Sequence, residues 1–311
     1  MADSKIPLFS YSSLVHAIAG AAGSSVAMSL TYPLDTVRTR LQLEEGRRAA
    51  PTAVLLVQLA RQEGITSLYR GIVPVIQSLF SSNFVYFYTF HGLKRLVVGE
   101  QSAPKDLLMA MTAGCVNVLL TNPLWVANTR MKMEGVAELS ERVRGQARPP
   151  ASRRYRSLAD GVRRIATEEG TGALYNGLTP SLMLTSNPAV QFVAYEAAKR
   201  YLERLKPGVP LSATTVFVVG AACKALATII TYPLQMVQAK LRVGGLVLED
   251  GTRELRVLRI LLLLYRHGGL AGVFKGLEAK MLQTVLTAAL MFVLYEKIAR
   301  FVFFLLLGRR G

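Results

Sequence analysis

The stretch TYPLDTVRTRLQ at residues 31–42 returns as TNPLWVANTRMK at 121–132 and as TYPLQMVQAKLR at 231–242. The three prolines, Pro33, Pro123 and Pro233, stand 90 and 110 residues apart. A second phrase follows each one: EGITSLYRG at 63–71, EGTGALYNG at 169–177 and GGLAGVFKG at 268–276. Small-residue pairs also keep the register, with Gly20/Ser24, Ala110/Gly114 and Gly220/Lys224 at thirteen and nine residues before each proline. Self-similarity over such a period marks one supersecondary unit used three times. The expected repeats are 1–100, 101–206 and 207–311.

The charge distribution says where these units sit. Residues 6–34, 71–93, 107–129 and 171–195 carry no Asp, Glu, Lys or Arg. Residues 211–239 are broken only by Lys224, and 281–307 by Glu296, Lys297 and Arg300. Each stretch is long enough for a bilayer core, which takes about 20 helical residues. In a chain of 311 residues, 51% apolar content and a mean hydropathy of +0.32 are high for a soluble protein. Six spans are expected, joined by basic segments around 44–48, 142–164 and 253–266.

A formal charge of +17 in a soluble protein would point to nucleic acid. Here the basic residues flank spans, where they meet anionic headgroups of membrane lipid, and no nucleic-acid partner is expected. Cys115 and Cys223 both fall in apolar spans; with no spaced pairs they frame neither a disulfide set nor a metal site. The first residues, MADSKIPLFSYSS, lack the basic, apolar and cleavage regions of a secretory signal.

Each unit then reads as a span, a polar connector with an amphipathic stretch such as TAVLLVQLARQEG at 52–64, and a second span. A proline inside a membrane helix removes a hydrogen bond and bends the axis. Three bends at one depth draw three helices together at one face, and the small-residue pairs allow close approach. The alternative, bending for packing alone, accounts less well for polar residues at matched offsets after all three prolines. The fold class is therefore an all-α membrane protein: six transmembrane helices in three pseudo-threefold-related repeats, with short amphipathic connector helices, around a central cavity.

These residues resemble the mitochondrial carrier family of solute transporters, whose repeats carry P-x-[DE]-x-x-[KR]-x-[KR] and then [DE]-G-x4-[YFW]-[KR]-G. Repeat 1 matches in full with Pro33, Asp35, Arg38, Arg40, Glu63, Gly64, Tyr69, Arg70 and Gly71, while repeats 2 and 3 keep the prolines and glycines and lose much of the charge. The variants NPLWVANTR, YPLQMVQAK and SNFVYFYTF are most similar to a peroxisomal branch carrying coenzyme A, flavin and adenine nucleotides.

The resemblance implies gates at both faces. On the face away from the cytosol, Asp35 would meet Asn128, Trp125 would meet Gln238, and Gln235 would meet Arg38, so that no acid–base pair between repeats survives. Gln42 matches the family's glutamine brace, with Lys132 and Arg242 at the equivalent positions; Trp125 closing that face by bulk alone is the alternative. On the cytosolic face Tyr195, Glu196 and Lys199 match [FY]-[DE]-x-x-[KR], Glu296 lacks its basic partner, and repeat 1 offers His91 and Lys94 without an acid. His91 fits a titrating gate or a plain interfacial side chain.

Family substrate contacts fall seven residues after the connector glycine, and at the eighth in repeat 2, giving Ser78, Leu184, Thr185 and Gln283. None is charged. Two lysines can supply positive charge for an anion: Lys280, one helical turn before Gln283, and Lys224, an ionisable residue deep in a span. The alternative for Lys224 is a structural partner such as Glu278 or a carbonyl. Ser82 and Asn83 can add hydrogen bonds, and Tyr86, Tyr88 and Phe192 offer either stacking surfaces or packing.

No catalytic pattern is present; His16, His91 and His267 lie in separate segments. The expected protein is a monomeric antiporter of coenzyme A, FAD, NAD and AMP or ADP, these being transported substrates, with no bound cofactor or metal. The expected location is the peroxisomal membrane, multi-pass, with both termini cytosolic by resemblance. The basic run at 142–157 is a possible address for peroxisomal membrane-protein import machinery. The alternatives are a mitochondrial inner-membrane carrier of folate, FAD or NAD, and a carrier-derived membrane scaffold that no longer transports.

Overall fold

A computed structural model describes residues 11–44, 50–96, 102–143, 155–205, 212–248, 251–287 and 290 of the chain. Three long helices, α1 (Tyr11–Leu43), α4 (Ala103–Val143) and α8 (Ala213–Arg242), each run through their phrase proline. Each is followed by a connector helix: α2 (Thr52–Glu63), α5 (Leu158–Glu168) or α9 (Val257–Val273). The second helix of each repeat then begins, as α3 (Ile72–Leu96), as α6 (Leu178–Met183) continuing into α7 (Asn187–Leu205), and as α10 (Leu277–Thr287). A two-stranded hairpin, β1 (Leu246–Val247) and β2 (Arg253–Glu254), is inserted before α9.

The repeat is written in the backbone. Gly64, Gly170 and Gly269 interrupt the three connectors at φ of 84°, 90° and 58°. Seven residues later Gly71, Gly177 and Gly276 turn the chain into the next helix at φ of 83°, 78° and 86°. Beside each second glycine the residue before the phrase proline is tied down. Tyr32 donates to the Arg70 carbonyl at 3.0 Å, Asn122 to Leu174 at 2.9 Å and Tyr232 to Lys275 at 2.7 Å.

Burial follows the same register. Beyond its proline each long helix packs on its own connector: Val37 and Leu41 on Leu55 and Leu59, Val126 and Ala127 on Leu158 and Ile165, Val237 and Leu241 on Ile260. Burying such side chains contributes roughly 1.5–3 kcal/mol each. The opposite helix faces expose Leu30, Phe84, Leu120 and Ile230, each more than half accessible. Helices with continuous apolar outer faces belong in hydrocarbon, where their backbone groups are satisfied internally. Among the described residues, Ala103–Glu134 and Thr214–Arg242 are long and apolar enough to cross a membrane by composition, while α9 and α10 meet at 46°.

Repeat 2 departs from symmetry. Its second helix tightens into a 3-10 turn at Leu184–Ser186 before α7 resumes. Pro188 has no N–H to give the Leu184 carbonyl one turn back, so the regular ladder fails there.

Candidate substrate site and gate

Asp35 is the centre of the site. It sits two residues after Pro33, is 5% exposed, and receives the Lys132 ammonium from α4 on Oδ2. Arg38 approaches its other oxygen at 3.6 Å from one turn along α1, and Gln283 Nε2 on α10 donates to that oxygen at 3.4 Å. The three repeats therefore converge on one carboxylate.

The residue nine positions after each proline makes the joint to the preceding repeat. Gln42 donates to the Tyr232 hydroxyl at 3.1 Å, joining repeat 1 to repeat 3. Lys132 reaches Asp35 and lies 4.8 Å above the Tyr32 ring, joining repeat 2 to repeat 1. Arg242 stacks its guanidinium 5.7 Å from the Trp125 ring, joining repeat 3 to repeat 2. One cycle of contacts thus closes the proline face, by a hydrogen bond, an ion pair and a cation–π contact. Gly276 shows how tight the closure is. A Cβ there would lie 3.0 Å from the Tyr232 hydroxyl and 3.3 Å from Leu41 Cβ, and its positive φ is one that L side chains avoid.

This closure corrects the sequence expectation. An acid–base pair between repeats does survive, because Lys132 at the brace position swings to Asp35, and the expected pairings are not what forms. Asn128 is 3% exposed and, among the described residues, its Oδ1 has no partner. Gln235 donates to Thr231 Oγ1 in its own helix at 3.2 Å, and Gln238 donates to Ser181 Oγ at 2.7 Å. Trp125 meets Arg242 rather than Gln238. The physical reason is reach: a lysine or arginine stem spans more than a helical turn, so the longer side chain takes the carboxylate or the ring.

Two further cations lie near the ring. Lys224 is half-buried and reaches Asn187 Oδ1 at 3.4 Å; Asn187 in turn donates to Thr231 Oγ1 at 2.7 Å. Glu278 is engaged elsewhere, accepting from the Thr52 amide at 3.1 Å at the start of α2. Lys280 is half-buried, and Arg38, Asp35 and Lys224 all lie within its electrostatic reach. Gln283 is 6% exposed, and its Oε1 is buried without a partner among the described residues.

The remaining positions are unequal. Ser78 is fully buried and its hydroxyl bonds the Pro74 carbonyl at 2.8 Å within α3. Ser82 and Asn117 exchange hydrogen bonds at 3.1 and 2.9 Å across α3 and α4, and Asn83 is half-buried beside them. Leu184 and Thr185 form the interrupted turn, with Thr185 donating to Leu182 O at 2.7 Å and lying 3.5 Å from Cys115 Sγ. Asn187 and Asn117 escaped the sequence reading; each is the lone asparagine where the symmetry-related positions hold aliphatic or other side chains.

At the opposite face, among the described residues, one of the proposed gate side chains, Lys94, makes a charged contact between repeats. Lys199 pairs with Glu203 on its own helix at 3.9 Å, and Glu196 is half-buried. His91 is exposed and packs on Phe87 and Phe90, while Lys94 meets Asp106 at 3.7 Å. Glu296 lies outside the described residues. A separate depression of about 700 Å³, lined by Arg130, Tyr155, Arg164, Glu169 and Arg253, opens beside α5 on the closed face, away from Lys224 and Lys280. Burial pushes the Tyr155 phenol there above its ordinary pKa.

Three helical repeats joined at one face, with apolar outer faces suited to a membrane and a cationic site beside the joint, define a carrier-type membrane transport protein. The chain belongs to the mitochondrial carrier protein family, whose model matches residues 9–101, 99–206 and 209–305. It is 49% identical over 297 residues to peroxisomal membrane protein PMP34 of Mus musculus, covering 94% of each chain. It is 32% identical to the peroxisomal nicotinamide adenine dinucleotide carrier of Arabidopsis thaliana, covering 92% of this chain and 95% of that one. It is 31% identical to peroxisomal adenine nucleotide carrier 1 of Glycine max, covering 95% and 93%. Members of this family are transporters, not enzymes, and the chain is a carrier-type, multi-pass protein of the peroxisomal membrane, as its relatives' names indicate.

Proposed function

We propose that the protein exchanges anionic, adenine-containing cofactors and nucleotides, among them coenzyme A, FAD, NAD and AMP or ADP, across the peroxisomal membrane by alternating access. The observation that carries this reading is the cationic cluster beside the closed ring. Lys280 and Arg38 lie near one carboxylate, Asp35, which Lys132 already neutralises, and Lys224 adds a further charge beside Lys280. The excess positive charge in a low-dielectric setting is suited to a phosphate. Asn187, Asn83 and Gln283 supply hydrogen bonds around it, and relatives named as carriers of NAD and adenine nucleotides support the same solutes. Ser78, Ser82 and Thr185 sit lower in this scheme because their hydroxyls are already bonded within the protein.

The gates are Asp35, Arg38, Gln42, Trp125, Asn128, Gln235 and Gln238 on the closed face, and His91, Lys94, Glu196, Lys199 and Glu296 on the other. Substrate binds between them and favours interconversion by binding the occluded form best. One chain encloses the whole site, so the working unit is a monomer. An intact closing ring supports transport over a non-transporting scaffold.

The test is counter-exchange in proteoliposomes loaded with AMP, with labelled coenzyme A outside and FAD, NAD, folate and ATP as competitors. Uptake that requires internal substrate and is blocked by adenine cofactors is expected. No uptake by folded protein with any of these solutes would sink the reading.

A further inference from the structure

We infer that Gln283 couples the cavity to the closed face: it positions the Asp35 carboxylate for Lys132 and, by letting go of it when a ligand binds, makes transport depend on exchange. This inference rests on the transport reading above and goes further by naming the residue that links ligand to gate.

Asp35 is shared by three repeats, with Lys132 of repeat 2 on Oδ2 and Gln283 of repeat 3 on Oδ1 at 3.4 Å. A carboxylate on a single χ2 torsion can rotate away from an ammonium. A hydrogen bond to its second oxygen fixes the plane, as outer partners orient the ligands of a charged site. Arg38 reaches Oδ1 too, at 3.6 Å, but it comes from the same helix as Asp35 and so ties no second repeat to it. Gln283 is the side chain of the third repeat that hydrogen-bonds this anion; Lys280 of the same repeat acts on it by charge alone and fixes no orientation.

The same amide is placed to meet ligand. Gln283 lies three residues after Lys280, one helical turn away on the same face. Its Nε2 is committed to Asp35, whereas its Oε1 is buried and without a partner among the described residues. A buried acceptor left over is a standing demand for a donor. A phosphate drawn to Lys280 brings the hydroxyl and amino groups of its own nucleotide within reach of that oxygen. An amide that turns to take such a donor withdraws Nε2 from Asp35, Oδ2 loses its fixed orientation, and the joint to Lys132 slackens. With an empty cavity nothing turns the amide, so the closed face stays shut and net flux is suppressed.

The experiment compares wild type, Gln283→Met, Gln283→Asn and Asp35→Asn in proteoliposomes, measuring labelled AMP uptake into AMP-loaded and into empty vesicles, with KM for exchange. Gln283→Asn keeps the amide but is one methylene too short to hold Asp35, and so guards against a misfolded apolar variant. Both Gln283 variants are expected to raise uptake into empty vesicles about tenfold over wild type, with KM for exchange raised several-fold and its maximal rate retained. Asp35→Asn is expected to raise empty-vesicle uptake with KM unchanged. Gln283 variants that raise KM but still need internal AMP would make Gln283 a ligand contact only and overturn the inference. Variants unchanged in both respects would overturn it as well. Wild-type protein that moves no AMP refutes instead the transport reading, and wild type that fills empty and loaded vesicles equally refutes exchange itself.

Discussion

Lys132 Nζ donates to Asp35 Oδ2 across 97 residues of chain, joining the second repeat to the first at the closed face. The two side chains are 11% and 7% exposed, so the pair lies in the regime where removing one partner leaves a buried charge. That costs about 3–5 kcal/mol. Lys132→Met is therefore expected to lower the melting temperature of detergent-solubilised protein by several degrees, and Lys132→Arg, which keeps the charge, to lose much less. A Lys132→Met variant as stable as wild type would mean that the pair contributes little.

The pair from each phrase to its connector acid should differ sharply between repeats. Arg40 binds Glu63 in a fork, at 2.6 and 2.5 Å, with side chains 3% and 7% exposed. Arg130 binds Glu169, whose side chain is 46% exposed to solvent. Glu63→Gln is expected to destabilise by about 3 kcal/mol, as a buried guanidinium loses its forked partner and keeps only the longer contact to Glu44 at 3.7 Å. Glu169→Gln, screened by water, should cost about 1 kcal/mol or less. Thermal unfolding of the two variants side by side checks the ranking.

The cavity lysines should govern solute charge. Lys224→Gln and Lys280→Gln are each expected to cut nucleotide uptake by about tenfold to a hundredfold, since a charge-assisted contact is worth roughly 1.5–3 kcal/mol. Surface Lys105→Gln should leave uptake unchanged. Asn187→Ala is expected to weaken uptake less than Lys224→Gln, because it frees the lysine from its 3.4 Å contact without removing the charge. Initial rates at subsaturating AMP measure all four.

A pH effect is expected at the hairpin before α9. Glu254 accepts from the Leu255 and Arg256 amides at 3.1 and 2.9 Å and from Arg259 at 3.0 Å, and the Arg256 backbone bond in particular holds its carboxyl below the ordinary range. A depressed carboxyl stabilises the fold above its unfolded pKa, and that stabilisation is lost as pH falls through the folded value. Amide exchange at Leu255 and Arg256, corrected for intrinsic rates, is expected to quicken as the pH is lowered into the acidic range. Glu254→Gln should show the fast rates already at neutral pH.

Much of this architecture was legible because it is written in residues whose backbone role is fixed. Pro33, Pro123 and Pro233, and the glycines that turn each connector, must recur at fixed offsets if one backbone path is used three times. The closing contacts were read less well. Register places Asp35 opposite Asn128, but register says nothing of rotamers, and Lys132 one turn further along reaches the carboxylate over the shorter asparagine. The same holds for Arg242, which takes the Trp125 ring that spacing assigned to Gln238. Asn187 was missed for a different reason. It has no counterpart in the other repeats, and its importance comes only from the Lys224 that folding places 3.4 Å away.

The three joints of the closed ring are chemically unlike, so they answer to different conditions. The Lys132–Asp35 seam, buried and so little screened by salt, gives way when one of its charges is removed, whereas the amide–phenol seam at Gln42 and Tyr232 has no charge to lose. The Arg242–Trp125 seam depends on the ring's electron cloud and is the one that a fluorinated tryptophan would weaken. An iris hinged on three identical pins has to part everywhere together; one hinged on three different materials has a preferred side from which to begin.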